Sequence, residues 1–136
     1  MRRAISILGL CLLCGCVGMN QQLRSRLDAV KGEPEPVCDV KTCPDKWTRA
    51  QIWLTRHSNR KIQIATDSVL QTYNVINGDP VYNYTIVKEP VGDGNCRISA
   101  NLTCGNFIGC VMKEEDVRNM LYHYINTGED IFSQLK

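Results

Sequence analysis

The stretch Cys-Arg-Ile-Ser-Ala-Asn-Leu-Thr-Cys at residues 96–104 decides the fold that we expect. Its even-numbered residues are apolar or cysteine, and its odd-numbered residues are polar. Because successive side chains of a β-strand point to opposite faces, this alternation predicts a strand with one buried face. Cys96 and Cys104 then lie at the two ends of that face.

Shorter β-rich runs precede this strand at residues 62–64, 69–73 and 81–87. Thr66-Asp67-Ser68 separates the first two runs and predicts either a tight turn or a bulge within one long strand. Asn77-Gly78-Asp79-Pro80 predicts a turn or loop that ends the β structure before the third run. The region therefore predicts three or four antiparallel strands.

One helix is predicted before the strands and another after them. The first helix is expected from Pro44 to about Ser58, with proline at its first position. Its apolar residues recur three or four apart: Trp47, Ala50 and Leu54. The second helix is expected from about Lys113 to Thr127, with acidic residues in its first turn and Gly128 after its end.

A helix, three to four strands and a second helix predict a small two-layer α+β domain over residues 44–136, with helices packed on an antiparallel sheet. The order loosely resembles small uncharacterised periplasmic domains with a TBP-like helix-on-sheet form.

The first sixteen residues have the layout of a bacterial export signal. Met1-Arg2-Arg3 is a short basic start, and residues 4–13 are apolar apart from Ser6 and Gly9. A membrane span needs about 20 apolar residues, so this shorter run predicts a cleaved secretory signal. The alternative is a short core helix or an uncleaved anchor.

The end of this signal resembles the lipobox of bacterial lipoproteins. In Leu13-Cys14-Gly15-Cys16, leucine stands at −3, a small glycine at −1 and cysteine at +1. The resemblance covers residues 1–16 and implies that residues 1–15 are removed and that Cys16 is acylated. Two acyl chains, at about 0.8 kcal/mol per buried methylene, hold a protein stably on a bilayer. Val17 follows instead of the aspartate that retains such proteins at the inner membrane, so the outer membrane, with the domain in the periplasm, is expected.

Residues 16–43 predict the lipidated N-terminus and a flexible tether, because they are polar and contain Pro34 and Pro36. About 26 flexible residues reach roughly 25–30 Å. A short helical stripe is conceivable only at Leu23, Leu27 and Val30.

The charge balance does not indicate a nucleic-acid-binding protein. The chain has sixteen basic and fourteen acidic residues, and Arg2 and Arg3 belong to the signal, so the processed chain carries equal numbers of each. Nucleic-acid binding depends on neutralising phosphates, and we expect none. Arg56, Arg60 and Lys61 form a small basic cluster that fits a solvated helix end.

The chain has eight cysteines, and five follow Cys16: Cys38, Cys43, Cys96, Cys104 and Cys110. An exported protein meets an oxidising compartment, so two disulfides and one free thiol are expected. The leading pattern joins the local pairs Cys38–Cys43 and Cys104–Cys110, and a rival bond joins Cys43 to Cys110. Cys96 is then expected to be a buried, unreactive thiol on the inner face of its strand.

No motif predicts a reaction, a cofactor or a metal site. His57 and His123 are the only histidines, and neither has a second ligand at metal-binding spacing. The cysteine spacings exceed those of zinc knuckles. Cys96 with His123 is a conceivable nucleophile pair, but an inward cysteine on an apolar strand face is more often part of the core.

The leading hypothesis is therefore a non-enzymatic lipoprotein of the bacterial envelope, anchored to the membrane through the lipid on Cys16. Its domain is expected to bind another envelope protein or to serve a structural role. One alternative is a small periplasmic enzyme that uses a cysteine with a histidine. Another is a plasmid- or phage-borne surface-exclusion lipoprotein, which rests on analogy alone.

Overall fold

The computed structural model describes residues 15–74 and 78–135, with side chains from Gln21 to Ser133 within those ranges. Residues 1–14 of the expected signal lie outside the described part. The elements are α1 (Gly15–Ala29), β1 (Val37–Cys38), α2 (Cys43–His57), β2 (Ile62–Ala65), β3 (Val69–Thr72), β4 (Tyr82–Gly92), β5 (Asn95–Cys104) and α3 (Glu114–Thr127), followed by a 3₁₀ turn (Phe132–Leu135).

The strands form one antiparallel sheet in the order β1-β5-β4-β3-β2. The predicted α+β class is confirmed. The described residues contain five strands and three α-helices, instead of the predicted three to four strands between two helices. The additional elements are α1 and β1, which both lie in the segment predicted to be a tether.

The core lies between α2, α3 and one face of the sheet. In β5 the even-numbered residues Ile98, Ala100 and Leu102 are buried, as the alternation predicts. From the helices, the residues least exposed are Ala50, Trp53, Leu54, Met120, Leu121 and Ile125. Each large apolar side chain buried in this way contributes about 1.5–3 kcal/mol to stability.

The end of α3 and the turn between β2 and β3 lie where the sequence predicts them. Gly128 follows α3 with φ 84°, and its N–H donates to the Tyr124 carbonyl. Thr66 forms a tight turn, since its Oγ1 accepts from the Val69 N–H at 2.9 Å. β2 and β3 are therefore two paired strands and not one bulged strand.

Residues 30–43, expected in the tether, belong to the folded domain. Val30 and Cys38 are 2% and 3% exposed, and Val37 and Cys38 pair with Arg97 and Cys96 of β5. Upstream, residues 15–29 are helical and not an extended coil. Leu27, near the end of α1, packs against the core.

Polar contacts fasten this segment to α3. The Tyr122 hydroxyl accepts from the Ala100 N–H at 3.0 Å and donates to Glu35 at 3.2 Å. Glu33 lies 3.0 Å from His123 Nδ1 and accepts from Asn126 Nδ2, also at 3.0 Å. These contacts hold residues 33–36 beside β5, where β1 is too short to cover the strand.

Candidate functional site

The most exposed apolar side chains of the domain lie on one loop. Phe107, Ile108 and Val111 are 97%, 82% and 91% exposed. All three belong to residues 105–112 between β5 and α3, which we call the apolar loop. Scattered apolar side chains on a surface are ordinary, but three within five residues form a local patch.

The apolar loop is held in place by covalent and hydrogen bonds. Cys104 and Cys110 form a disulfide with a Cα–Cα distance of 5.9 Å, which closes the loop at its base. Asn106 Oδ1 accepts from the Ile108 N–H at 2.8 Å, while Asn106 Nδ2 donates to the Gly78 carbonyl at 2.6 Å. The exposed side chains therefore project from a constrained backbone.

A cleft of about 280 Å³ lies beside the apolar loop. Its wall is mainly apolar or aromatic: Pro80, Val81, Tyr82, Tyr84, Cys110, Val111, Met112, Val117 and Phe132, with His57 and Asn59. Val111 belongs both to the cleft wall and to the exposed patch, so the two surfaces are continuous. A cavity of roughly 150 Å³ holds benzene, and drug-sized ligands need about 300–1,000 Å³, so the cleft suits one ring or one branched side chain.

Two tyrosines give the cleft polar groups without charge. Burial, with a smaller effect of the neighbouring Tyr82, raises the pKa of Tyr84 above its ordinary value of 10.0. Burial and the carboxylates of Glu114 and Asp116 raise the pKa of Tyr82. The Tyr82 hydroxyl donates to the Met112 carbonyl at 2.8 Å, which ties β4 to the end of the apolar loop.

His57 is a buried polar residue on the cleft wall. Its side chain is 3% exposed, and its Nε2 lies 2.9 Å from Asp130 Oδ2. Burial alone would raise the pKa of Asp130, but hydrogen bonds from His57 and the Ser133 N–H, with nearby positive charge, lower it overall. The ionised carboxylate therefore accepts the Nε2–H, and His57 Nδ1 has no hydrogen-bond partner within the described residues.

The His57–Asp130 pair could not be predicted from the sequence. The two residues are 73 positions apart, and no spacing rule joins them. The available signal was that His57 follows Trp53 by four residues and Ala50 by seven, which places it on the apolar face of the first helix.

The cysteines form the two local disulfides of the leading pattern. Cys38 and Cys43 are joined with a Cα–Cα distance of 4.9 Å, and the rival Cys43–Cys110 bond is absent because both residues are bonded elsewhere. Cys96 is the free cysteine among the residues whose side chains are described. It is half-buried, not fully buried as expected, because it lies near the start of β5 opposite a two-residue edge strand.

The conceivable pair of Cys96 and His123 has no support from the hydrogen bonds. His123 Nδ1 lies 3.0 Å from Glu33, and its Nε2 lies 3.4 Å from Glu129. Both ring nitrogens therefore face carboxylates, and the described contacts join neither histidine to Cys96.

The expected lipid site, Cys16, is described only in its backbone. Cys16 lies in α1, but its side chain is outside the described residues. In the part of the chain that is described, none of the helices is long and apolar enough to cross a membrane. The same part contains no group of three potential metal ligands.

No protein-family model matches this chain, and the search found no similar sequence among the curated proteins and no similar fold among the solved structures.

Proposed function

We propose that this chain is a non-enzymatic lipoprotein of the bacterial envelope whose domain binds another envelope protein through the apolar loop and the adjoining cleft. The exposure of Phe107, Ile108 and Val111 on a disulfide-closed loop is the observation that carries the proposal. Exposed apolar patches are typical of interaction sites, and a constrained loop loses little conformational entropy when it binds.

The cleft indicates what the partner offers. It adjoins the patch at Val111 and has room for one aromatic or branched aliphatic side chain. Binding hot spots commonly consist of such an anchor side chain in a desolvated pocket. The partner is therefore expected to insert one apolar side chain into the cleft while its neighbouring surface covers Phe107 and Ile108.

The lipobox-like residues 13–16 support the anchor, with acyl chains on Cys16 and residues 1–15 removed. Val17 favours sorting to the outer membrane, with the domain in the periplasm. In the structure α1 continues from this point to Ala29, and thirteen helical steps from Cys16 cover about 20 Å. A helical stalk of this length would keep the domain near the membrane, within reach of other envelope proteins.

Site-specific photo-crosslinking in cells that express the full chain tests the partner surface. A photoreactive phenylalanine analogue at Phe107 should give one discrete cross-linked species. The same analogue at Val40, which is 79% exposed, is the matched control. Val40 lies in the loop after β1, and β1 pairs with the start of β5, about 27 Å along the strand from the apolar loop.

Ile108→Asp provides the second arm of this experiment. It should remove the Phe107 cross-link without changing the unfolding midpoint, because Ile108 is 82% exposed. Equal cross-linking from positions 107 and 40, or a cross-link that survives Ile108→Asp, would contradict the proposed surface.

A further inference from the structure

We propose that Cys38, Cys43 and Cys96 form a thiol–disulfide exchange centre in which the Cys96 thiolate attacks the Cys38–Cys43 bond and releases the Cys43 thiolate. The proposal concerns the opposite end of β5 from the apolar loop, so it does not depend on the proposed partner surface.

The register of the sheet places the attacking thiol. Cys96 of β5 is the direct cross-strand partner of Cys38 in β1. The Ile98 N–H donates to the Pro36 carbonyl at 2.8 Å, so Pro36 and Ile98 are opposite residues of the hydrogen-bonded kind. In an antiparallel ladder such pairs alternate with non-hydrogen-bonded pairs. Cys38 and Cys96, two residues further along each strand, are then also a hydrogen-bonded pair, with a Cα–Cα distance of about 5.5 Å. This distance lies within the range of about 4.4–6.8 Å found for disulfides.

Both side chains face the same side of the sheet. Cys38 is buried, and Cys96 is half-buried and packs against the same core. The Cβ atoms of a hydrogen-bonded cross-strand pair lie about 5.5 Å apart, while those of a disulfide lie about 3.5–4.5 Å apart, so bond formation requires about 1–2 Å of approach. β1 is a two-residue strand at the sheet edge, where such a shift disrupts few contacts.

The position of Cys43 makes it the leaving group. Cys43 is the first residue of α2, a helix of fifteen residues. A thiolate at a helix N-terminus is stabilised by the positive end of the helix dipole, and a stabilised thiolate leaves faster. Lys46, one turn along the helix, adds positive charge beside β1, where its Nζ donates to the Val37 carbonyl at 2.8 Å.

The exchange is balanced without an oxidant or a reductant. The Cys96 thiol loses its proton to solvent, and its sulfur forms a bond to Cys38 Sγ. The Cys38–Cys43 bond breaks, and its electron pair leaves on the Cys43 sulfur, which can take up a proton. One disulfide and one thiol are present before and after the step.

The second disulfide supplies an internal control. Cys104 pairs across the strands with Tyr82, and not with a cysteine. The proposal therefore predicts exchange at Cys38–Cys43 and none at Cys104–Cys110.

Peptide mapping of the purified full chain tests the exchange. The protein is incubated at pH 8 for increasing times, acidified to stop the reaction and digested with pepsin at low pH, and linked peptides are identified by mass spectrometry. Peptides linking Cys38 to Cys96 should grow with time and should be lost in Cys96→Ser. A wild-type protein that keeps only the Cys38–Cys43 link at every time would overturn the proposal.

A pair of variants tests the geometry separately. With oxidised glutathione, Cys43→Ser should form a Cys38–Cys96 bond and retain no glutathione. Cys38→Ser, the matched control, should form no link between Cys43 and Cys96, because these residues are not cross-strand partners. If Cys43→Ser instead accumulates glutathione on Cys38 or Cys96, the two sulfurs are not in reach and the proposal is wrong.

Discussion

Removing the Asp130 carboxylate should reveal how firmly the last turn of the chain is attached to α2. Asp130 accepts from His57 Nε2 at 2.9 Å, and its other oxygen accepts from the Ser133 N–H at 3.0 Å. In Asp130→Ala the His57 Nε2–H keeps its buried position but loses its acceptor. Nδ1 already has no partner in the described part of the chain, so both ring nitrogens would be buried and unpaired.

The size of this effect follows from the kind of bond that is lost. A hydrogen bond to a charged group contributes about 1.5–3 kcal/mol, and a buried donor left unpaired costs a similar amount. Arg56 is 57% exposed and its nitrogen lies 3.9 Å from Asp130, so it adds little. We expect Asp130→Ala to lower the free energy of unfolding by about 2 kcal/mol, or the melting temperature by about 8–16 °C. Asp130→Asn, which keeps an acceptor oxygen, should cost about half as much.

Urea unfolding monitored by tryptophan fluorescence measures this loss, because Trp53 lies 5.2 Å from the His57 ring. Glu129→Ala is the matched control: Glu129 is 60% exposed and should cost less than about 0.5 kcal/mol. The reasoning is refuted if Asp130→Ala costs no more than Glu129→Ala.

The pH dependence gives the same comparison a second readout. The pKa of Asp130 is lowered from 3.8 in the folded protein. Its stabilising effect is therefore complete above the unfolded value and is lost as the pH falls through the lower, folded value. The stability gap between the wild type and Asp130→Asn should therefore shrink as the pH falls below about 5.

Three further changes test other parts of the molecule. Tyr122→Phe leaves the Ala100 N–H without its acceptor and should cost about 1–3 kcal/mol in urea unfolding. Gly128→Ala should cost about 1 kcal/mol in the same assay, because φ is 84° at this position and alanine is strained there. The nearest atom to an added Cβ is 3.5 Å away, so a steric clash adds little to that cost. Cys16→Ser should abolish labelling by radioactive palmitate, and a mutant that still incorporates the label would show that the lipid site is wrong.

The periodic part of the fold could be predicted from the sequence. The alternation in residues 96–104 and the helical spacing after Pro44 each repeat over several residues and are reinforced by burial on one face. β1 could not be found in this way, because two residues carry no period. Its flanking segment is held by polar contacts to α3, such as Glu33 to His123, 90 positions away. Residues 33–36, whose prolines and glutamates give them the composition of a linker, therefore belong to the folded domain.

The candidate site was predictable only where its parts are close in sequence. The two local disulfides connect cysteines five and six positions apart, and short loops bring such pairs together. Cys96 was expected in the core because its strand alternates correctly, but alternation gives the face of a residue and not its distance from the sheet edge. The exposure of Phe107 and Ile108 likewise depends on how the disulfide closes the loop, and composition alone does not reveal it.

The positions of the two proposed sites make them separable by experiment. β5 pairs with β1 near its first residues and leads into the apolar loop after Cys104, so the cysteine trio and the loop lie at opposite ends of one strand. The eight residue steps from Cys96 to Cys104 correspond to about 27 Å. Substitutions that are more than about 10 Å apart and share no contacts usually have additive effects on stability. A variant at Phe107 can therefore remove a partner without altering exchange at Cys38, and a protein locked by Cys96→Ser can still present the apolar loop.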